Sequence, residues 1–94
     1  MQPSITHHSQ DQEFIAEADG RKAELAYSLP ATGIIDFTHT FVDENWRGQG
    51  VGEALARRGL DYARQQHLRV RTSCEFMERF VQAHQQEYQE LLDK

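Results

Sequence analysis

The sequence predicts an α/β fold of the mixed, α+β kind: an antiparallel meander, then a strand–loop–helix–strand crossover, then C-terminal helices. Three observations predict it. Apolar runs separated by turn signals fill the first half of the chain. A glycine-rich stretch, Arg47-Gly48-Gln49-Gly50-Val51-Gly52, divides the most apolar run from a segment with helical periodicity. A short strand-like run, Arg69–Cys74, follows that segment and leads into a second helical pattern.

Residues 1–11 are polar and read as a flexible N-terminal tail, which leaves 12–94 as a single domain. Within the tail, His7-His8 lacks any further ligand motif, so the pair reads as solvated and no metal is expected. Glu13-Phe14-Ile15-Ala16-Glu17-Ala18 reads as a strand. Asp19-Gly20 is a hairpin signal, and Lys22 to Leu29 is the returning strand. Pro30-Ala31-Thr32-Gly33 reads as a second turn. Ile34 to Val42 is the third strand, and three strands joined in series make an antiparallel meander. His39 falls among Ile35, Phe37 and Phe41 and reads as a core histidine.

From Val51 to about Gln66, the residues Gly52, Leu55, Ala56, Gly59, Leu60 and Ala63 recur at helical spacing. The small members of this stripe let the helix sit close to a sheet. Strand, loop, helix and strand are long enough for a right-handed crossover, so Ile34–Val42 and Arg69–Cys74 should be parallel. Glu75 to the end reads as helix, with a break near Gln85-Gln86.

Composition limits the function. The chain has 94 residues, with 38% hydrophobic and 27% charged residues, which suits one small globular domain. No apolar run approaches the ~18 residues of a membrane span, and no signal peptide is visible. One cysteine cannot form an internal disulfide. The expectation is a cytoplasmic protein without a membrane partner. A formal net charge of -5 argues against a nucleic-acid partner. Six of the ten basic residues lie between Asn45 and Arg71: Arg47, Arg57, Arg58, Arg64, Arg69 and Arg71. Together they would favour a ligand with several phosphate charges.

The glycine stretch carries the most specific signal. A strand, a glycine turn and a helix start form an anion site, because backbone N–H groups and the positive end of the helix dipole face the ligand. A Walker loop needs Lys-Ser or Lys-Thr after the last glycine, whereas Gly52 is followed by Glu53-Ala54. The dinucleotide fingerprint needs G-x-G-x-x-G, and neither Gly48 nor Gly50 starts that spacing. Arg47, Gly50 and Gly52 do fit Gln/Arg-x-x-Gly-x-Gly/Ala. That pattern resembles the pyrophosphate loop of the GNAT N-acetyltransferase superfamily. The preceding His39-Thr40-Phe41-Val42, the lone Cys74 followed by Phe76, and the short chain resemble its minimal YjdJ-type subgroup.

The resemblance implies a minimal GNAT fold, acetyl-CoA or coenzyme A as cofactor, and acetyl transfer to a small-molecule or protein amine. It implies that Thr40, Phe41 and Val42 contact pantetheine and the acyl group. A backbone N–H near Phe41 or Val42 would polarise the thioester carbonyl. Arg47, Gly48, Gln49, Gly50, Val51, Gly52, Glu53 and Ala54 would hold the pyrophosphate. Cys74 has two readings. It is a nucleophile or base favoured by a helix N-terminus near Glu75, or a small inert thiol. Glu75 is a candidate base by location.

The chain also departs from the pattern. Thr72 stands where the subgroup often has proline. Gln85-Gln86 replaces the proline of a His-Pro-Glu-Tyr segment, which weakens any role for His84 or Tyr88. No tyrosine is assigned to protonate the departing thiolate. Only Asp19-Gly20 separates strands that larger members join through two helices. The acceptor site is then open or completed by a partner, for which a weak homo-oligomer is one option. The rival function is a CoA-binding protein with little or no transferase activity.

Overall fold

The computed structural model describes residues 4–93. Its sheet has five strands in sequence order: β1 (Ser4–His8), β2 (Glu13–Ala18), β3 (Arg21–Ala31), β4 (Ile34–Val42) and β5 (Arg69–Thr72). The first four form an antiparallel meander, and β4–β5 is parallel. Helix α1 (Val51–Gln65) makes the crossover; α2 (Glu75–Ala83) and the short α3 (Gln85–Tyr88) follow. The expected fold class is the one observed.

Within the expected N-terminal tail, Ser4–His8 form strand β1 instead, while residues 1–3 lie outside the described residues. The alternation of β1 turns Ile5 and His7 inward, and His7 stacks on Phe14 at 4.2 Å between ring centroids. The His7 ring is also 4.4 Å from Tyr62 of α1, and its Nε2 lies 2.6 Å from the Tyr27 hydroxyl. A solvated His-His pair is therefore only half right. His8 is exposed, while burial, Arg58 and His8 push the His7 pKa below its ordinary value.

Strand β3 runs through the expected turn as far as Ala31. Pro30 lacks an N–H for the ladder, and it falls where the β3–β4 register shifts between Ser28 and Ala31. The reversal is left to Thr32-Gly33.

A second register shift matters more. Ala26 faces His39 and Tyr27 faces Phe37, which leaves Thr38 without a partner. An extra residue in one strand reverses the alternation of side chains beyond it. Ile35 and Phe37 face the core before this bulge; after it, Thr40 and Val42 take that face and His39 is exposed. The expectation of a core histidine fails for this reason.

One core lies between the sheet and the helices. Phe14, Leu25, Ile35, Phe37, Leu55, Leu60 and Met77 are fully buried in it. Each such side chain contributes about 1.5–3 kcal/mol relative to exposure. All six residues of the predicted α1 stripe are buried. A Cβ on Gly59 would lie 2.8 Å from a Leu25 methyl and 2.9 Å from the Phe37 ring, so α1 approaches the sheet as closely as only glycine allows. Among the described residues, no helix is long and apolar enough to cross a membrane.

Candidate functional site

Strand β5 pairs with β4 only from Ile34 to Phe37 on the β4 side. The last pair is Phe37 with Thr72, and Asp36 holds the residue that follows. The Asp36 carboxylate accepts hydrogen bonds from the Ser73 N–H (3.0 Å) and hydroxyl (2.7 Å), and Cys74 N–H donates to the Phe37 carbonyl at 2.9 Å. Strand β5 thus ends at Thr72, two residues before the expected strand end at Cys74, and α2 begins at Glu75 as expected. Beyond Phe37 the β5 side of β4 has no strand beside it among the described residues, and the two elements fork.

A cavity of about 310 Å³ opens at this fork and continues to the start of α1. Thr40 and Val42 contribute from β4, and Gly48, Gly50, Val51 and Gly52 from the loop and first helical turn. Trp46 and Phe76 add aromatic surface, and Arg47 and Glu53 add one charge of each sign.

The loop is shaped by two glycines. Gly48 and Gly50 have φ of +80° and +82°, the left-handed region that L side chains avoid, and a Cβ at either position would meet nothing within 4 Å. The backbone is thus bare on its open side. Gly50 caps α1 with no side-chain hydrogen bond, and the first helical bond is Ala54 N–H to the Gly50 carbonyl at 3.0 Å. The amides ahead of Ala54 have no helical acceptor. A neighbouring 3-10 turn, Glu44–Trp46, is capped by Asp43 accepting from Asn45 N–H. Its Trp46 is buried and anchors the loop to the core.

Most expected loop residues line the cavity, with two exceptions. Gln49 stitches the loop through its amide to the Asn45 carbonyl at 2.9 Å. The Ala54 N–H is used inside the helix. Arg47 donates from Nε to the Val42 carbonyl at 3.4 Å, makes no ion pair among the described residues, and leaves its outer nitrogens free.

Phe41 does not line the cavity. It lies opposite Glu24, between two residues that do face it, and its side chain is 45% exposed on the other side of the sheet. Glu75 is also elsewhere, exposed and ion-paired with Arg79 one turn on. Cys74 is half-buried at the N-cap of α2, with Sγ 3.2 Å from Thr40 Oγ1. Trp46 and Phe76 are cavity residues that sequence reasoning left out of the site; their positions flanking the loop and Cys74 were the available signal.

The arginine cluster is dispersed. Arg57 bonds Glu87 (2.9 Å) and the Tyr88 hydroxyl (3.1 Å). Arg64 bonds the Glu87 carbonyl (2.6 Å), and Arg71 pairs with Asp93 (2.8 Å). Arg58 lies 5.3 Å from the Phe14 ring centroid. Of the six, Arg47 alone lines the cavity. The His84 Nδ1–H donates to the Phe80 carbonyl at 2.9 Å and the ring stacks on Phe80, so His84 belongs to the C-terminal packing.

The sequence model of the GCN5-related N-acetyl-transferase family matches residues 13–91. The protein NATD1 of Bos taurus is 29% identical over 79 residues, covering 82% of this chain and 70% of that protein. NATD1 of Homo sapiens is 27% identical over the same shares of each chain. The solution structure of a GCN5-like protein from Staphylococcus aureus superposes with a TM-score of 0.77 at 25% identity, covering 98% of this chain and 89% of that one. The chain belongs to the GCN5-related N-acetyl-transferase family.

Proposed function

We propose that this protein binds acetyl-CoA at the fork and transfers its acetyl group to an amine in the cytoplasm. The observation that carries the reading is the bare turn at Gly48 and Gly50, open at the unshielded start of the 15-residue helix α1. Side-chain charge does not make this site, because Arg47 and Glu53 nearly cancel. Backbone N–H groups and the helix dipole do. A pyrophosphate fits such a cradle, with Arg47 adding a charge-assisted hydrogen bond.

The group supplies an activated thioester when bound. The chain's own residues bind and orient. Thr40 and Val42 offer the free edge of β4 as an added strand would use it. Trp46 and Phe76 exclude water from that edge. Cys74, one hydrogen bond from the cavity lining, is the candidate nucleophile, held by Thr40 at the start of α2. The second reading is CoA binding without turnover. It is favoured by the tight β1–β2 and β2–β3 links, which leave no helix from those links over the acceptor side.

Calorimetry with CoA tests binding, and mass spectrometry after incubation with acetyl-CoA tests chemistry. Binding that survives Gly50→Val, or binding of NAD in place of CoA, overturns the assignment of the loop. An acetyl adduct on Cys74 that Cys74→Ala abolishes together with transfer supports the nucleophile. Full transfer by Cys74→Ala assigns the thiol to packing and leaves direct attack by the amine.

A further inference from the structure

Three hydrogen bonds fix the chain where β4 and β5 part. Ser73 is the first residue past β5, and its N–H is taken by Oδ1 of the Asp36 side chain at 3.0 Å. The Ser73 hydroxyl donates to the other carboxylate oxygen, Oδ2, at 2.7 Å. The next N–H, that of Cys74, returns to the β4 backbone at the Phe37 carbonyl, at 2.9 Å. Asp36 has Arg71 beside it in the parallel register, yet Arg71 pairs with Asp93 at 2.8 Å. Asp36 makes no ion pair among the described residues, and both its oxygens go to Ser73.

What this clasp holds reaches the cavity. Cys74 follows Ser73 directly, with Sγ 3.2 Å from Thr40 Oγ1. The Cys74 carbonyl accepts a bond of the first α2 turn, from Glu78 N–H at 3.0 Å. Phe76, two residues further on, lines the cavity, and a Cβ on Gly52 would lie 2.9 Å from its ring. The start of α2 is thus in close contact with the start of α1. A displacement of Ser73 is carried through Cys74, beside Thr40, to Phe76 on the cavity wall.

The geometry points to Asp36 as a positioning residue: through Ser73 it sets the places of Cys74 and Phe76, and with them the width of the fork that receives the cofactor's pantetheine arm. Asp36 does not line the cavity and takes no part in the chemistry. The arm as occupant rests on the acetyl-CoA reading above; the hold on Cys74 does not. The role needs one side chain that meets two groups of Ser73. Asparagine keeps an oxygen for the N–H and an amide N–H for the hydroxyl, whereas alanine loses both bonds.

The test compares Asp36→Ala, Asp36→Asn and Ser73→Ala with the native chain by two readouts. The first is calorimetry with CoA and with 3′-phospho-ADP, the nucleotide of CoA without its arm. The factor by which CoA binds more tightly measures the arm's contribution. It should fall about tenfold in Asp36→Ala, the size of one hydrogen bond to a charged group, and about threefold in Ser73→Ala, which keeps the N–H bond. Asp36→Asn should keep the native factor, and the nucleotide alone should bind equally to all four chains. A merely structural role would leave that factor unchanged. The second readout is alkylation of Cys74 by iodoacetamide in the ligand-free chain, whose rate should rise in Asp36→Ala and not in Asp36→Asn. A folded Asp36→Ala with the native factor and the native rate overturns the positioning role. If Asp36→Ala does not fold, Ser73→Ala decides by the same two readouts. If the native chain binds no CoA, the acetyl-CoA reading falls, and the alkylation rates alone decide whether Asp36 places Cys74.

Discussion

Helix α1 meets charge in two ways, and its two regions make an instructive pair. At its start the loop presents backbone N–H groups, two glycines without side-chain cover, and one arginine with free nitrogens. Along its body Arg57 and Arg64 are tied to Glu87, Tyr88 and Glu90 of the C-terminal segment. Arg64 also lies 5.6 Å from the Tyr88 ring centroid, and Arg57 5.4 Å from that of Phe80. The same residue type thus lines an open cavity at one end and forms a tether at the other. What separates them is the company each keeps: the tether arginines have carboxylates and rings within reach, whereas Arg47 has a carbonyl and an open cavity.

The sharpest way to break this comparison is at Gly50. Gly50→Val forces an L residue into φ +82°, at a cost to stability of about 1–2 kcal/mol, and fills the bare side of the turn. CoA affinity should fall at least about 100-fold, equivalent to ~2.7 kcal/mol. The variant should stay folded, because a Cβ there meets no neighbouring atom. Circular dichroism with calorimetry checks both halves, and a folded variant with native affinity removes the loop from the site.

Arg47→Ala should come next. Loss of one charge-assisted hydrogen bond weakens CoA binding by about 1.5–3 kcal/mol. The salt dependence of binding should flatten in parallel, since an exposed charge is screened. A much smaller loss at low salt leaves the amides as the main ligands.

The contrast between the regions also explains what the sequence could reveal. The loop was legible because its chemistry is backbone chemistry, written in glycine spacing after a strand and before a helix. The crossover and the α1 stripe were legible from periodicity, and Ile34–Val42 is the strand expected. Three things were not legible. The bulge at Thr38 leaves no mark in an alternating pattern, so His39 and Phe41 were placed on the wrong face. The arginine partners lie 22 to 31 residues away, beyond any local signal. Strand β1 is too polar to read alone, since it is completed by packing of His7 against Phe14, Tyr27 and Tyr62 from three other elements.

That aromatic setting gives a third, smaller effect. Burial is the main reason the His7 pKa is lowered, followed by Arg58 and then His8. A histidine whose folded pKa is depressed is protonated first in the unfolded chain. Its contribution is therefore complete above about pH 6.5 and is lost as pH falls below that value. Urea midpoints at pH 7.5 and 5.5 should differ more in the native chain than in His7→Phe. An equal difference in both assigns acid sensitivity to other groups.

The smallest effect is expected at the tether. Arg57→Ala removes bonds to Glu87 and Tyr88, neither of which lines the cavity. The Tyr88 ring stays buried among apolar neighbours whether or not its hydroxyl keeps a partner. Stability should therefore drop slightly and the C-terminal amides should exchange faster, because exposed ion pairs contribute little and act locally. CoA affinity should not move. If Arg57→Ala weakened CoA binding as much as Arg47→Ala, the arginines would form one phosphate field after all, and the division of α1 into a ligand end and a tether would be wrong. If instead only exchange near Glu87 changes, the acidic C-terminal segment is what keeps these arginines from competing with the loop for an anion.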